Sequence, residues 1–236
     1  MADTPTQDTD YDATLADVRR SLEDLLAFEG RYFVVPEEAS TPDVAVTPVV
    51  DGDDLDLFRQ NISDCLNCQL GHTRKNFVFG SGNRDADIMF VGEAPGQEED
   101  RQGQPFVGPA GELLTKIIGA MQMSRDDVYI CNVLKCRPPN NRDPQPEEVA
   151  SCEPYLQRQI ELVRPRVICC LGRHAAHALL KTELSLSRLR GALHQYQGIP
   201  LVVTYHPAAL LRNAGYKRAA WDDVKWVRRL HDGRQL

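Results

Sequence analysis

From residue 88 onward the chain alternates between two textures. Short runs of consecutive apolar residues at 88–91, 128–134, 167–171 and 201–205 suit strands buried on both faces. Between them apolar residues return every three or four positions, as in Leu113, Leu114, Ile117, Ile118 and Met121, the signature of a helix with one buried side. The stretch after the second run opens with Pro146, Glu147 and Glu148, residue types that favour the positive end of a helix. This alternation predicts an α/β domain, with a mostly parallel central sheet and helices on both faces. Ligands of such sheets bind beyond the carboxyl ends of the strands, so the residues that follow each run are the first place to look for chemistry.

The segment before residue 51 is patterned differently. Residues 1–13 are acidic and polar and read as disordered. Leu15, Val18, Leu22, Leu25 and Leu26 then recur at helical spacing, which gives a helix of about four turns with one apolar stripe. That helix either docks on its own domain, the reading we prefer, or binds a partner. Pro36, Pro42 and Pro48 among scattered acids make residues 35–54 a linker, so the chain divides into a leader, 1–50, and a domain, 51–236. No apolar run approaches the roughly 20 residues that cross a bilayer. The acidic N-terminus also lacks the basic and apolar regions of an export signal, and a cytoplasmic protein with no membrane partner is expected.

The formal net charge of −7 argues against a polyanionic partner until its distribution is considered. Residues 1–60 hold 15 acidic residues against 4 arginines, whereas residues 61–236 hold 23 basic and 19 acidic ones. The positive excess therefore lies in the part that folds. It is densest at Arg212, Lys217, Arg218, Lys225, Arg228, Arg229 and Arg234. Such a cluster is either a solvated helix face or a phosphate track, and it counts as the second only beside a site.

Three polar groups follow three of the runs. Glu93 lies within Gly92-Glu93-Ala94-Pro95-Gly96, Asn132 stands near the end of the second run, and His206 follows Tyr205. A carboxylate, an amide and an imidazole at equivalent strand ends would converge on one rim. The loop from 92 to 111 is rich in glycine, which permits close backbone approach to a ligand. Its Phe106 either stacks on that ligand or plugs the loop onto the core. The acids of Gln97-Glu98-Glu99-Asp100 read as solvated rather than as a cation site.

The seven cysteines, without an export signal, read as thiols or metal ligands rather than disulfides. Cys131, Cys169 and Cys170 fall inside the apolar runs and act as small hydrophobes. Cys65 and Cys68, with two residues between them, and Cys136 and Cys152, with 15 between them, lie outside them. Together the four can close an all-thiolate site. Spacing does not choose between zinc and an iron–sulfur cluster.

These pieces together resemble the family 4 uracil-DNA glycosylases, the iron–sulfur branch of the uracil-DNA glycosylase superfamily, from about residue 54 to 230. The resemblance rests on Gly92-Glu93-Ala94-Pro95-Gly96 and on Glu99-Asp100 through Gly103 to Pro105-Phe106-Val107-Gly108 and Ala110-Gly111. It rests equally on Asn132-Val133-Leu134-Lys135-Cys136-Arg137-Pro138-Pro139 and on His206-Pro207-Ala208-Ala209-Leu210-Leu211-Arg212-Asn213. It implies a three-layer sandwich, uracil-containing DNA, single- or double-stranded, as substrate of a monomer, and a structural [4Fe–4S] cluster on Cys65, Cys68, Cys136 and Cys152. The family links its activity to Glu93 and Asn141, and by the same resemblance Glu99 crowds C5 of the base and rejects thymine's methyl group.

The chemistry that this implies is cleavage of the bond between deoxyribose C1′ and uracil N1, with positive charge growing on the sugar and negative charge on the base. The base must first leave the stack. Leu210 and Leu211 stand where a wedge would fill the vacated space, and Arg212 where it would hold a phosphate. His206 suits uracil O2 as a donor, Asn132 matches O4 and N3–H, Phe106 stacks on the ring, and the backbone at Gly92 and Glu93 contacts O2. Other branches place a water-activating Asp where this chain has Ala94, so Asn141 or the substrate phosphates position the water. Three alternatives stand beside this reading. One is a uracil-DNA binder that traps its substrate covalently; the related branch that does so carries a basic insertion where Pro109-Ala110-Gly111 here runs directly on. The others are a module that recruits replication or repair proteins through residues 14–28, and a zinc-stapled hydrolase of free uracil compounds.

Overall fold

A computed structural model describes residues 54–233. The expected leader helix, the linker up to residue 53 and Arg234 lie outside the described residues. The order along the chain is α1 (Leu55–Ile62), β1 (Ser81–Gly82), β2 (Ile88–Gly92), α2 (Gln97–Gln102), α3 (Pro109–Ala120), β3 (Tyr129–Asn132), α4 (Pro146–Val163), β4 (Val167–Leu171), α5 (Arg173–Leu180), α6 (Leu186–Leu189), β5 (Leu193–Tyr196), β6 (Ile199–Thr204), α7 (Pro207–Arg212) and α8 (Lys217–His231). Asp54 opens α1 by accepting the Asp56 and Leu57 N–H groups at 2.7 and 3.2 Å, an ordinary N-cap.

The six strands form one sheet in the order β1-β3-β2-β4-β6-β5. Its inner four strands run parallel, and β1 and β5 pair antiparallel at the edges. Side chains of a strand alternate between faces, and both faces are covered. Met89 and Val91 of β2 with Ile168 and Cys170 of β4 face a cluster formed by α1, α4 and α5. Ile88 and Phe90 with Val167 and Cys169 face α3 and α8. The consecutive apolar runs are the consequence of this two-sided burial.

Both edge strands went unanticipated. Leu193–Tyr196 alternates between exposed and more buried positions, the mark of a strand covered on one side, and turns into β6 through Gln197 and Gly198 at φ 49° and 80°, the geometry of a two-residue hairpin. The expected run 128–134 pairs as a strand only over four residues, because Val133 and Leu134 then follow the loop after β2, donating to the carbonyls of Gly92 and Glu93 at 2.9 and 3.0 Å. The register levels the carboxyl ends: Gly92 pairs with Asn132, Val91 with Cys170 and Leu171 with Thr204.

Candidate active site

Beyond that levelled edge lies a cavity of about 410 Å³, lined by Glu93 after β2, Asn132 at the end of β3, His206 after β6, and by Glu99, Phe106, Asn141 and Arg212. The structure thus brings the three strand-end groups together with residues of two loops and of α7. Ala94, Pro95, Gly96, Ala110, Pro138, Arg142, Asp143 and Ala208 complete the wall.

His206 is the N-cap of α7, and its Nδ1 accepts the Ala208 N–H at 3.2 Å. Burial first, and the Arg212 charge second, push its pKa down to about 4. The ring is neutral near pH 7, and because Nδ1 is an acceptor the single ring proton sits on Nε2. The site therefore holds an imidazole N–H donor that needs no acid to form. Behind it Tyr205 is stacked on Tyr216 at 4.3 Å and covered on its other side by the Arg190 guanidinium at 4.1 Å. Arg190 and Thr204 both donate to Asp223 Oδ2, at 2.8 and 2.7 Å, so strand and helix are tied together beside the histidine.

Phe106 is buried, with φ 54°, a left-handed conformation that costs a bulky residue energy unless its surroundings hold it. Three contacts hold it. Arg125 donates to the Phe106 and Pro105 carbonyls at 3.1 and 2.8 Å. Glu99 Oε1 accepts the Val107 and Gly108 N–H groups, both at 3.0 Å, while its Oε2 accepts that of Gly96 at 3.1 Å. Gly111 lets α3 close up, since a Cβ there would lie 1.9 Å from the Phe106 carbonyl oxygen. The Phe106 ring lies 5.5 Å from that of His206, tilted by 33°, and it reaches the cavity wall while resting on the core, so both readings of it are partly met. Gly92 has a related reason: a Cβ would stand 2.3 Å from Asn132 Oδ1 and 2.5 Å from the Phe106 ring. The neighbouring acids are also engaged, Glu98 with Arg101 at 2.7 Å and Asp100 with the Lys75 N–H at 2.8 Å; the expectation that they are solvated is corrected for Asp100, which is buried.

Asn132 is buried, and its Oδ1 accepts no hydrogen bond among the described residues. An orphaned buried acceptor costs about 1–3 kcal/mol, a cost that a ligand N–H removes. Asn141, at φ 53°, takes a hydrogen bond from Arg137 Nε at 2.7 Å on Oδ1. Arg142 is fixed by a bidentate pair with Glu148, at 2.9 and 2.5 Å. Glu93 has a pKa raised to about 7, by burial first and by Asp143 second, with Arg173 opposing. The His174 Nε2 atom lies 3.8 Å from the Glu93 carboxylate and 3.4 Å from that of Asp143. Arg173, His174, Arg142 and Asp143 were not singled out from the sequence. The first two open α5 at the end of β4, the one inner strand whose following residues went unread.

The wedge pair separates. Leu210 is 3% exposed and faces the groove between α3 and α8, whereas Leu211 is 52% exposed. The expectation that both are available is corrected: adjacent residues of a helix point about 100° apart, and only Leu211 faces solvent. Of the C-terminal cations, Arg212 lines the cavity. Lys225 pairs with Asp222 at 2.7 Å, and Arg228 with Asp232 at 3.0 Å, so part of the cluster is a helix face with internal ion pairs.

The four cysteines outside the strands gather in one hydrophobic cluster with residues of α1 and α4. Tyr155 Oη donates to Cys65 Sγ at 3.2 Å, Arg74 to Cys136 Sγ at 3.3 Å and the Lys135 N–H to Cys152 Sγ at 3.3 Å. Cys68 and Cys65 bear electrostatically on Cys136, and Cys136 and Cys68 on Cys152. A single tetrahedral zinc with bonds of ~2.3 Å requires sulfurs ~3.8 Å apart. Among the described residues the only three or more His, Cys, Asp or Glu ligand atoms all within 4.8 Å of one another belong to Glu93, Asp143 and His174. The four sulfurs are thus grouped, with no three of them mutually within 4.8 Å. Cys131, Cys169 and Cys170 are fully buried in strands, where burial pushes their thiols up.

A doubly wound sheet with an amide and an imidazole at its strand ends, beside a loop aromatic ring, defines an α/β protein with a polar, aromatic-lined cavity at that edge. Residues 79–225 match the model of the uracil DNA glycosylase superfamily. The type-4 uracil-DNA glycosylase of Saccharolobus solfataricus is 46% identical over 185 residues, covering 75% of this chain and 86% of that protein. Those of Archaeoglobus fulgidus and Thermotoga maritima are 45% and 43% identical, covering 73% and 72% of this chain and 91% of each relative. The chain belongs to the uracil DNA glycosylase superfamily, and within it to the type-4 branch.

Proposed function

We propose that the protein hydrolyses the N-glycosidic bond of uracil flipped out of DNA, leaving an abasic site. The observation that carries this reading is the single cavity in which the orphaned Asn132 Oδ1, the Phe106 ring and the Nε2–H of a neutral His206 meet. Uracil offers what these groups lack: an N3–H for Asn132 Oδ1, an O4 for its amide N–H, and a flat face for Phe106. As the C1′–N1 bond breaks, its electron pair moves onto the base and concentrates at N1 and O2. The His206 N–H donates to O2, and the Arg212 charge nearby favours the same anion. A fixed donor to a developing oxyanion accelerates a reaction about 10²–10³-fold.

Glu93 and Asn141 hold the water that adds to C1′, and its proton passes to Glu93 when that group is ionised. With a pKa of about 7, the carboxyl is close to the value at which a general base works best near neutral pH. Glu99 staples the loop that bears Phe106 and sets the wall beside C5 of the base. Leu211 enters the helix behind the flipped nucleotide, and Arg212 takes an adjacent phosphate. The catalytic unit is residues 51–236, acting as a monomer in the cytoplasm, with residues 14–28 of the leader as the contact for a repair or replication protein. Gly108 caps α3 directly after Phe106 and Val107, which leaves no insertion there and supports hydrolysis over covalent trapping.

Cys65, Cys68, Cys136 and Cys152 would hold a [4Fe–4S] cluster, whose contribution is to cross-link the segment after α1, the 134–137 segment and α4. The all-cysteine donor set suits such a cluster, and the type-4 relatives support it. The test of the reaction is incubation with a uracil-containing oligonucleotide followed by alkali. Strand scission only with uracil present is expected; none, with release of base from free nucleosides instead, would overturn the reading.

A further inference from the structure

Lys135 is fully buried. Its Nζ donates to the Asn132 carbonyl at 2.6 Å and to Gln159 Oε1 in a short contact, both neutral acceptors. Among the described residues no carboxylate makes a salt bridge with it, although ten of the lysines and arginines there do so. A buried ammonium is destabilising unless an anion compensates it. The anions it bears on electrostatically are sulfurs, Cys131 and Cys152, and its backbone N–H donates to Cys152 Sγ at 3.3 Å. On the outer side Arg74 touches a sulfur with its charged group. Its guanidinium donates to Cys136 Sγ at 3.3 Å and to the carbonyls of Cys65 and Ser63 at 2.6 and 2.9 Å, again without a carboxylate partner among the described residues.

We infer that Lys135 from inside the core and Arg74 from the surface are the counter-cations of the four-thiolate centre, bracketing it so that its charge is balanced within the fold. The inference rests on the [4Fe–4S] reading. Four thiolates around an oxidised cluster leave two net negative charges, and the two cations supply two positive ones. Net charge and hydrogen bonds to sulfur set the reduction potential of such clusters, so these residues hold the potential up and keep the oxidised form from being over-charged. Lys135 has a second consequence. By holding the Asn132 carbonyl it ties the charge balance of the cluster to the strand end that reads the base.

The test compares the full-length protein with Lys135→Met, Arg74→Gln and Arg74→Lys, purified without air, by iron and labile-sulfide content and by voltammetry of the bound cluster. Lys135→Met and Arg74→Gln should each shift the potential downward and lose iron to a chelator several-fold faster, while Arg74→Lys, which keeps the charge, should stay near wild type. Potentials in Lys135→Met and Arg74→Gln equal to wild type at full iron content would overturn the inference. If Lys135→Met does not fold, the Gln and Lys variants at position 74 decide it. Wild-type protein without iron and labile sulfide would overturn the cluster reading instead, an outcome separate from unchanged potentials.

Discussion

At the scale of single residues the site works through protonation states that the fold imposes. His206 is held neutral, with its proton on Nε2, by burial and by the Ala208 N–H. Replacing it with alanine should leave DNA binding intact and lower the single-turnover cleavage rate about 10²–10³-fold; a rate equal to wild type would remove the histidine from the reaction. Because its pKa is depressed to about 4, it contributes no ionisation near neutrality. Glu93 does. Its carboxyl binds a proton more tightly in the native state than in the unfolded chain. Its contribution to stability is therefore full below pH 4.5 and is lost as the pH climbs to about 7. If the ionised form accepts the water's proton, single-turnover rate should rise through pH about 7, and Asp143→Asn should move that midpoint to lower pH by removing the second cause of the shift. A midpoint that stays in place would assign the limb to another group. Gly92 belongs at this scale too. A methyl group there meets Asn132 Oδ1 and Phe106, so Gly92→Ala should fold yet cleave poorly, with thermal unfolding and cleavage assays separating the two effects.

At the scale of elements, α7 divides its side chains between core and substrate. Leu210→Ala should destabilise the domain by about 2–5 kcal/mol with cleavage of single-stranded uracil DNA retained. Leu211→Ala should stay within about 0.5 kcal/mol of wild type and slow cleavage of duplexes more than of single strands; chemical denaturation and paired rate measurements check both. The elements were largely legible in the sequence, because consecutive apolar runs and a period of 3.6 are local properties that need no knowledge of neighbours. The apolar run 167–171 matches β4, and the helix signalled by Leu113 to Met121 and by Pro146 to Glu148 appears as α3 and α4. The edge strands were missed for the same reason in reverse. Ser81–Gly82 has no apolar pattern at all and is a strand only because β3 lies beside it.

At the scale of the molecule, the four cysteines join segments up to 87 positions apart in sequence. Cys136→Ala should lose the brown colour and the soluble yield together, whereas Cys170→Ala, a buried hydrophobe in β4, should keep the colour; visible absorption spectra distinguish them. Binding of uracil-containing DNA should weaken with salt, and Arg212→Ala should reduce the slope of log affinity against log salt by about 1. Removing residues 1–50 should leave glycosylase activity in place, as the oligonucleotide assay would report.

The sequence by itself determined the layers, the strand-end positions of Glu93, Asn132 and His206, and which cysteines lie inside strands, since each follows from residue type and spacing along a few turns of chain; Cys152, read as a loop residue, lies instead within α4. Tertiary structure alone decided which of Leu210 and Leu211 is outward, that Asp143, Arg173 and His174 surround the carboxyl of Glu93, which tautomer His206 holds, and that the four outlying cysteines gather in one region. Those facts depend on strand order and register, which bring together residues separated by tens of positions, and no local pattern encodes a distance across a sheet.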